Sequence, residues 1–277
     1  MRAPTRSAIG VLSVKAHLEW IELQLWALQG SFAEHIHALE SLPEAVRLPV
    51  VQVRTPQDLA RCRGLIIPGG ESTTIALLIM QSGLYEPLLD FVELAKRGTG
   101  ERSIWGTCAG SILLAKEIDG PTTAGWKGLH GMDVRVSRNR FGRQLQSFAH
   151  PLALDFLSPP RPPLLATFIR APALHSILPL AATSVDSSEA NQSPSAQPPP
   201  VECLVRLPPA LLASVAPPKP ALGNPALAHP TPAGPENDVV MWKQGDLLAS
   251  SWHPELNKDD ARVHEWWVRA MVLHQDE

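Results

Sequence analysis

Short, uninterrupted apolar runs alternate with amphipathic stretches through the first half of the chain. The runs have the length and composition of parallel strands buried on both faces, and they are Ala8–Leu12, Leu48–Val53, Gly64–Gly70 (ending in a glycine loop) and Ser103–Trp105. The stretches between them have helical spacing and lie at about 31–42, from Glu71 onward, and at Tyr85–Lys96, with a short helix capped by Thr55–Asp58. Because strands that alternate with helices form parallel sheets covered on both faces, we predict an α/β fold with three αβα layers and a mostly parallel central sheet.

The pattern changes after Gly128. Further strands are predicted at Met132–Val136, Gln144–Phe148, Leu164–Arg170, Val201–Leu207, Asp238–Gly245 and Leu247–Trp252, and an amphipathic helix at Asp259–His274. Of the 28 prolines, 20 fall between Pro151 and Pro235. The stretches 176–200 and 208–235 are nearly uncharged and bury too little apolar area to order themselves. We therefore predict one domain over 1–277 that carries disordered proline-rich loops.

Bulk composition narrows the class of protein. The chain has 277 residues and a formal net charge of −3, so it is long enough for a sizeable core and lacks the basic surface that binds nucleic acid or acidic membranes. No apolar run approaches the ~20 residues of a membrane span. Three cysteines at scattered spacing suit a reducing compartment and give no zinc signature. We expect a cytoplasmic protein with no metal, cofactor, membrane or nucleic-acid partner.

The segment around Cys108 has the pattern of a nucleophile elbow. The predicted strand ends in Gly106-Thr-Cys-Ala-Gly110, and a helical pattern follows that we expect to reach Ile118. Small residues are needed on both sides of a cysteine where a strand turns sharply into a closely packed helix. The N-terminal end of that helix favours the thiolate, the form that attacks carbonyl carbon. A buried structural cysteine fits the segment equally well, so the assignment depends on the rest of the chain.

A candidate base follows the strand Leu247–Trp252 directly, in His253-Pro-Glu255. In an extended segment, residues two apart share a face. We therefore expect the Glu255 carboxylate to accept from one imidazole nitrogen of His253 while the other nitrogen faces the thiol. A nucleophile, a base and an orienting carboxylate are the parts of a hydrolytic triad.

The glycine loop Pro68–Ser72 supplies bare backbone near the predicted nucleophile. Acyl chemistry generates an oxyanion, and each backbone N–H held near it is worth ~3 kcal/mol. We expect the N–H groups of Gly70 and Ala109 to form such an oxyanion hole. Taken alone, this motif is equally compatible with an ordinary turn between a strand and a helix.

Five motifs in order resemble the glutaminase subunit of pyridoxal 5′-phosphate synthase, a triad-type class I glutamine amidotransferase. They are Pro68-Gly-Gly-Glu-Ser-Thr-Thr74, Gly106-Thr-Cys-Ala-Gly110, Arg138-Asn-Arg-Phe-Gly-Arg-Gln144, Phe168-Ile-Arg-Ala-Pro172 and His253-Pro-Glu-Leu256. The segments Leu28–His35 and Lys243–Gly245 fit the same family. Together the motifs cover most of the chain outside the proline-rich parts.

The resemblance implies a flavodoxin-like glutamine amidotransferase fold and the hydrolysis of L-glutamine to L-glutamate and ammonia through a thioester on Cys108. In this reading His253 carries protons and Glu255 orients it. The glutamine-binding residues that the resemblance implies are Gly70, Glu71, Ser72, Arg138, Ile169 and Arg170. A guanidinium suits the α-carboxylate of glutamine, and the sequence leaves open which arginine makes that contact. The implied partner is a separate barrel-shaped synthase subunit, which receives the ammonia for vitamin B6 synthesis and activates the glutaminase.

The chain departs from the family pattern at one place, an insertion over 13–26 that separates Ile9–Leu12 from Ala27–Gly30. The insertion has partly helical spacing, but Leu23–Leu28 also alternates and offers a rival first strand. We favour Ile9–Leu12, because Gln24 in a doubly covered strand would need a buried partner. Our hypothesis is that the insertion is a retained intron or splice variant.

Two other functions remain open from the sequence. One is a different triad-type cysteine hydrolase on the same fold, such as a peptidase, although Arg138 and Arg170 suit a small charged amino acid better. The other is a catalytically impaired chain that acts only as a binding subunit. Intact Cys108, His253 and Glu255 count against the second alternative, and the insertion counts for it.

Overall fold

The computed structural model of the chain describes residues 8–13, 31–119, 126–138, 147–179, 198–214 and 234–275. Within these ranges the strands are β1 (Ala8–Leu12), β2 (Val50–Val53), β3 (Cys62–Ile67), β4 (Ser103–Thr107), β5 (Ala115–Asp119), β6 (Met132–Ser137), β7 (Phe148–Leu152), β8 (Leu164–Phe168), β9 (Ala173–Ile177), β10 (Val201–Arg206), β11 (Val239–Gln244) and β12 (Leu247–Ser250). The helices are α1 (Phe32–Glu40), α2 (Pro56–Ala60), α3 (Ser72–Gln81), α4 (Tyr85–Lys96), α5 (Ala109–Leu114), α6 (Pro209–Ser214), a 3₁₀ helix (Pro254–Leu256) and α7 (Arg262–Trp267), which continues as a π-helical turn (Val268–Val272).

A seven-stranded sheet forms the middle layer, in the order β10-β11-β12-β4-β3-β1-β2. The five strands from β12 to β2 pair in parallel, whereas β11 pairs antiparallel with both of its neighbours. The mostly parallel sheet that the sequence predicts is confirmed. Parallel strands of this kind leave their carboxyl ends at one edge, where open α/β sheets bind their ligands.

Helices cover both faces of the sheet, as the apolar strands require. Alternate residues of each central strand enter different cores: Leu65 packs in the core that contains Leu88 of α4, and Ile66 packs in the core that contains Trp267 of α7. All four side chains are fully buried. The three-layer αβα architecture is therefore confirmed, and each face of the sheet has its own apolar core.

The prediction for the chain after the elbow is wrong in one respect. Helix α5 ends at Leu114, and β5 occupies Ala115–Asp119, so the helix does not reach Ile118. The apolar residues of this stretch fit helical spacing, but β5 pairs with β6, which also pairs with β9 in a separate three-stranded sheet. Strand β9, at Ala173–Ile177, has no counterpart in the prediction, and long-range pairing decides both elements.

Most of the strand predicted over Gln144–Phe148 lies outside the described residues, and its last residue is the first of β7. β7 begins at Phe148 and pairs antiparallel with β8, with Pro151 opposite Leu165. A proline is tolerated there because this sheet has two strands, so one side of β7 makes no ladder. The terminal helix predicted over 259–274 is confirmed as α7 and its π-helical continuation, which together span Arg262–Val272.

The first strand is the one that the sequence favours. Ala8–Leu12 lies between β2 and β3 and pairs in parallel with both. The rival strand Leu23–Leu28 and residues 14–26 of the insertion lie outside the described residues, as do 180–197 and 215–233 of the proline-rich stretches. The single domain with disordered loops stays a prediction, and α6 is a helix within the predicted loop 208–235.

None of the described helices has, by itself, the length and apolarity to cross a membrane. The pair α3 and α4, bent by 112° at their junction, meets both criteria only when taken together. In the same part of the chain, His, Cys, Asp and Glu side chains form no group that could hold a metal ion.

Candidate active site

Cys108 stands at the turn between β4 and α5. Its backbone has φ 47° and ψ −104°, a strained conformation that is typical of a nucleophile elbow. A Cβ atom added at Gly110 would lie 2.1 Å from the carbonyl oxygen of Ile67, and one at Gly106 would lie 2.5 Å from the carbonyl carbon of Gly110. The sharp turn therefore requires glycine on both sides of the cysteine, for the packing reason that the sequence suggests.

Two adjacent parallel strands bring His253 to the same place. β12 pairs with β4 so that Ser250 is opposite Thr107, and the N–H of Cys108 donates to the carbonyl oxygen of Ser250 at 2.8 Å. The chain then reaches His253, whose N–H donates to the carbonyl oxygen of Thr167 in β8 at 3.0 Å. A Cβ atom at Gly69 would lie 2.4 Å from Cε1 of His253 and 3.3 Å from Cβ of Cys108, so the imidazole and the cysteine side chain are neighbours, and both residues are buried.

Glu255 completes the arrangement, but not through the geometry that the sequence suggests. Its Oε1 accepts from Nδ1 of His253 at 2.7 Å, as expected. The premise of an extended segment is wrong, because Pro254–Leu256 form a 3₁₀ helix whose N-cap is His253. Proline suits the first position of a helix, since its fixed φ is helical and its missing N–H would have no partner there. The short helix folds Glu255 back under the imidazole.

The buried side chains of His253 and Glu255 have the character of an ion pair. Burial alone would lower the pKa of His253, but interactions with the Cys108 side chain and the Glu255 carboxylate outweigh it and raise the pKa to about 10. Burial would likewise raise the pKa of Glu255, but the nearby imidazoles of His35 and His253 and a hydrogen bond from Ser31 hold it at about 2. The imidazole therefore has a stabilised protonated form between a sulfur and a carboxylate.

An open pocket with a cavity volume of about 110 Å³ lies over Cys108. Its walls contain every residue that the sequence assigns to glutamine binding or to the oxyanion hole, together with Ile112, which the sequence did not single out. These residues are Gly70, Glu71, Ser72, Ala109, Arg138, Ile169 and Arg170. The thiol points at the carbonyl oxygen of Ile169, with 3.9 Å between sulfur and oxygen.

Arg138 has an unmatched charge at the pocket wall. Its Nε and Nη2 atoms are buried and have no hydrogen-bond partner among the described residues. The guanidinium stacks on Trp126, with Cζ 5.2 Å from the ring centroid. Burial lowers the pKa of Arg138, and the Glu71 carboxylate acts in the opposite direction. A buried guanidinium without partners favours an anionic ligand, because an unpaired buried donor costs free energy.

The other two charged residues of the pocket differ from Arg138. Glu71 is the N-cap of α3, and its carboxylate accepts from the backbone N–H groups of Thr73 at 3.0 Å and Thr74 at 2.6 Å. Arg170 is exposed and has a positive φ of 45°. Glu71 is thus committed to shaping the glycine loop, whereas Arg170 stands at the pocket mouth.

The sequence did not identify several residues that surround the triad. Gly69 contacts the His253 ring, Ser31 donates to Glu255, and His35 and His264 lie behind that carboxylate. Ser31 and His35 lie in the segment Leu28–His35, which fits the family pattern. That likeness did not indicate what either residue does. His264 lies on the inward face of the terminal helix among apolar residues. A polar side chain in that position could have indicated a buried polar contact.

Comparisons with known proteins agree with this geometry. The family model described as "SNO glutamine amidotransferase family" matches residues 25–193 and 226–273. The pyridoxal 5′-phosphate synthase subunit SNO1 of Saccharomyces cerevisiae is 34% identical over 251 residues, which cover 89% of this chain and 91% of that protein. The pyridoxal 5′-phosphate synthase subunit PdxT of Deinococcus radiodurans is 46% identical over 157 residues, which cover 56% of this chain and 74% of that protein.

A solved structure extends the likeness to the fold. It is titled "Crystal structure of glutamine amidotransferase", and its TM-score is 0.60 at 30% identity, with 94% of this chain and 96% of that chain covered. The family match spans both the glycine loop and the elbow, and its second segment spans His253 and Glu255. The chain belongs to the SNO family of glutamine amidotransferases.

Proposed function

We propose that this chain is the glutaminase subunit of a pyridoxal 5′-phosphate synthase, which hydrolyses L-glutamine to L-glutamate and ammonia. One observation carries the proposal: a cysteine on an elbow, paired with His253 and Glu255, opens into a pocket whose wall holds the unpartnered guanidinium of Arg138. Family membership and relatives named as synthase subunits support it.

The proposed reaction has two halves. The Cys108 thiolate attacks the side-chain amide carbon of glutamine, and the carbon–nitrogen bond breaks as His253 donates a proton to the leaving ammonia. A glutamyl thioester remains. Water then attacks its carbonyl carbon while His253 accepts a proton, and the carbon–sulfur bond breaks to release glutamate and restore the thiolate. Glu255 holds the imidazole in the orientation that both transfers need.

The pocket assigns a role to each part of the substrate. The α-carboxylate pairs with Arg138, because its buried donors are otherwise unmatched and an Arg–carboxylate pair can be bidentate. Glu71, Ser72, Ile169 and Arg170 complete the walls. The oxyanion of each tetrahedral intermediate is held by the N–H groups of Gly70 and Ala109, which flank the sulfur in the pocket lining.

The proposed partner is the barrel-shaped synthase subunit, which receives the ammonia for vitamin B6 synthesis in a hetero-oligomeric complex. Relatives with printed names of the form "pyridoxal 5′-phosphate synthase subunit" support this partnership. We expect slow glutamine hydrolysis without the partner and faster hydrolysis with it. The cytosol is the proposed compartment, since all three cysteines are free thiols.

The test is ammonia release from L-glutamine by the full chain, with and without its synthase subunit. The wild-type chain should release ammonia faster with the partner, and Cys108→Ala should abolish the release. Cys203→Ala is the matched control, because Cys203 is a free, half-buried cysteine on β10 at the far edge of the sheet. A glutamine-like chloroketone should add one equivalent to the wild type and to Cys203→Ala, and none to Cys108→Ala.

The same experiment separates the alternatives. Release that persists in Cys108→Ala would overturn the proposed mechanism. Hydrolysis of peptides in preference to glutamine would indicate another cysteine hydrolase. A chain that binds the synthase subunit but neither reacts with the chloroketone nor releases ammonia would be a binding subunit only.

A further inference from the structure

Two buried histidines lie behind the Glu255 carboxylate, and the proposed reaction uses neither of them. His35 on α1 is 0% exposed and His264 on α7 is 1% exposed. Nε2 of His35 lies 3.4 Å from Oε2 of Glu255 and 3.2 Å from Oγ1 of Thr107. Nδ1 of His35 lies 2.9 Å from Nε2 of His264. The pair therefore reaches from the terminal helix to the carboxylate oxygen that faces away from His253.

Glu255 divides its contacts between its two oxygens. Oε1 accepts from Nδ1 of His253 at 2.7 Å and from the hydroxyl of Ser31. Oε2 is buried and makes no hydrogen bond within the described residues, and Nε2 of His35, which bonds Oγ1 of Thr107 at 3.2 Å, lies 3.4 Å from it. A buried carboxylate oxygen needs a donor, because leaving it unpaired costs more than the hydrogen bond itself is worth. His35 is placed to supply that donor.

Burial disfavours the charged form of both histidines. It lowers the pKa of His35 against the opposing effect of Glu255, with a further lowering from His253 and a raising effect from Glu34. It lowers the pKa of His264 to about 3, where His35 acts in the same direction and Glu255 against it. A neutral imidazole carries one N–H. The hydrogen bond between the two rings can therefore run in either of two directions, with His35 or with His264 as the donor.

The geometry decides the direction. If His35 carried its proton on Nδ1, its Nε2 lone pair would face the Glu255 carboxylate, and His264 would be left with an N–H on Nδ1. That atom of His264 is buried and has no partner in the described part of the chain, so it would be an orphaned donor. With the proton on Nε2, His35 donates to Oγ1 of Thr107, presents the N–H to the Glu255 carboxylate, and accepts from Nε2–H of His264. The atom left over is then a lone pair on Nδ1 of His264.

We infer that His35 is a positioning residue for the triad: in a tautomer that His264 fixes, its Nε2–H bonds Oγ1 of Thr107 and faces Oε2 of Glu255, and this contact aims Oε1 at Nδ1 of His253. The inference deepens the proposed glutaminase function and depends on it. His35 acts through the carboxylate and touches no substrate. Its loss should therefore lower kcat and leave KM unchanged.

The variants are chosen to separate donation from packing. His35→Phe keeps a ring and removes the donor, while the side-chain amide of His35→Gln carries an N–H about where Nε2 lies. His37→Phe is the control, because His37 is exposed on the same helix. We expect His35→Phe to lower kcat for glutamine by about 10- to 100-fold with KM within twofold, and His35→Gln to recover most of the rate. His37→Phe should match the wild type.

A measurement on the unmodified chain covers the case in which His35→Phe fails to fold. The nitrogen-15 NMR spectrum of histidine-labelled protein should show His35 and His264 as neutral rings protonated on Nε2. A His35 proton on Nδ1 would overturn the inference. So would an unchanged kcat in folded His35→Phe, or a His35→Gln rate as low as that of His35→Phe at equal thermal stability. A wild type that is inactive on glutamine would instead overturn the proposed function. The NMR spectrum would still test the protonation of His35, because it does not depend on activity.

Discussion

Gly69 lies directly against the imidazole of His253. A Cβ atom at Gly69 would be 2.4 Å from Cε1 and 3.0 Å from Nδ1 of that ring, and 3.3 Å from Cβ of Cys108. Only a hydrogen atom fits between the loop and the ring. The glycine loop after β3 therefore sets how His253 sits beside the thiol, in addition to its proposed role in supplying a backbone donor.

Replacing Gly69 by alanine should damage the reaction more than the fold. The added methyl must displace the His253 ring, which Glu255 holds at 2.7 Å, or move the loop that carries Gly70. Misplacement of a reacting group by about 1 Å costs roughly 100-fold in rate, so kcat/KM for glutamine should fall by about that factor. Steady-state ammonia release with the synthase subunit measures it.

Gly83→Ala is the matched control for that substitution. Gly83 has a φ of 72°, and a Cβ atom there would meet nothing within 4 Å. The substitution should cost roughly 1–2 kcal/mol of stability through backbone strain and leave kcat/KM unchanged. A kcat/KM for Gly69→Ala equal to that of Gly83→Ala would show that the loop does not restrict the ring.

Arg138→Gln should weaken glutamine binding. The buried Nε and Nη2 atoms have no partner in the pocket, so the charge is available for the α-carboxylate. Hydrogen bonds to charged groups are worth ~1.5–3 kcal/mol, which corresponds to roughly a 10- to 100-fold loss in kcat/KM, mainly through KM. Arg170→Gln should have a smaller effect, because Arg170 is exposed at the pocket mouth.

A substrate analogue identifies the group that Arg138 contacts. 4-Aminobutyramide has the side-chain amide of glutamine and lacks the α-carboxylate. Wild type and Arg138→Gln should therefore hydrolyse it at the same slow rate. If Arg138→Gln lost as much activity on the analogue as on glutamine, the arginine would be supporting the pocket and not the carboxylate.

The elements that position the triad are the ones that local sequence determines. A strand buried on both faces is a continuous apolar run, so β1, β3 and β4 are visible without any knowledge of their neighbours. The elbow is equally local, because the same five residues contain the nucleophile and the glycines that permit its turn. The residues proposed for the oxyanion hole and for glutamine binding follow from motifs at the ends of such strands, and the pocket lining contains them.

The remaining features depend on contacts that no local pattern records. His35 and His264 are 229 positions apart, and only packing of α1 and α7 on the same face makes them neighbours. The contact between Gly69 and His253 likewise joins two loops that are distant in sequence. β5 and β9 are strands because each pairs with part of the chain that apolar spacing does not reveal. The contact between His253 and Glu255 was predicted correctly, although the extended segment from which it was predicted is in fact a 3₁₀ helix.

Gln244→Leu should destabilise the fold without touching the active site. Gln244 is fully buried; its Oε1 accepts from the N–H of Asp133 at 2.7 Å, and its Nε2 donates to the Asp133 carboxylate at 2.7 Å and to the carbonyl of Pro199 at 3.0 Å. Leucine would leave the buried N–H of Asp133 without its acceptor, at ~1–3 kcal/mol, and would remove one donor from the Asp133 carboxylate, which keeps Lys96 and Lys116. We expect a loss of about 2–4 kcal/mol in urea unfolding.

The control for that loss is Gln52→Leu, since Gln52 is exposed on β2. Surface substitutions of this kind change stability by less than about 0.5 kcal/mol. If the two variants unfolded at the same urea concentration, the buried amide would not be tying β11 to β6. Folded Gln244→Leu should retain the wild-type KM for glutamine, because the residue lies outside the pocket lining.

Mild acid should destabilise the protein before its carboxylates are protonated. Burial lowers the pKa of His264 to about 3 and also lowers the pKa of His35, whereas an unfolded histidine takes up a proton near pH 6.5. Between these values the unfolded chain binds more protons, so the free energy of unfolding falls as pH falls, by up to ~1.4 kcal/mol per pH unit for each histidine. Glu255, with its pKa of about 2, adds its own loss only below about pH 4.5.

Urea unfolding at pH 7, 6 and 5 tests this origin. His264→Phe removes one of the two buried groups, so its stability should fall less steeply over that range than the wild type's, even if its stability at pH 7 is lower. His37→Phe, exposed on α1, should keep the wild-type slope. His253 acts in the opposite direction: its pKa of about 10 gives a stabilisation that is complete below pH 6.5 and is lost as pH rises towards 10. Equal acid slopes in the wild type and His264→Phe would mean that the buried histidine pair does not control the acid response.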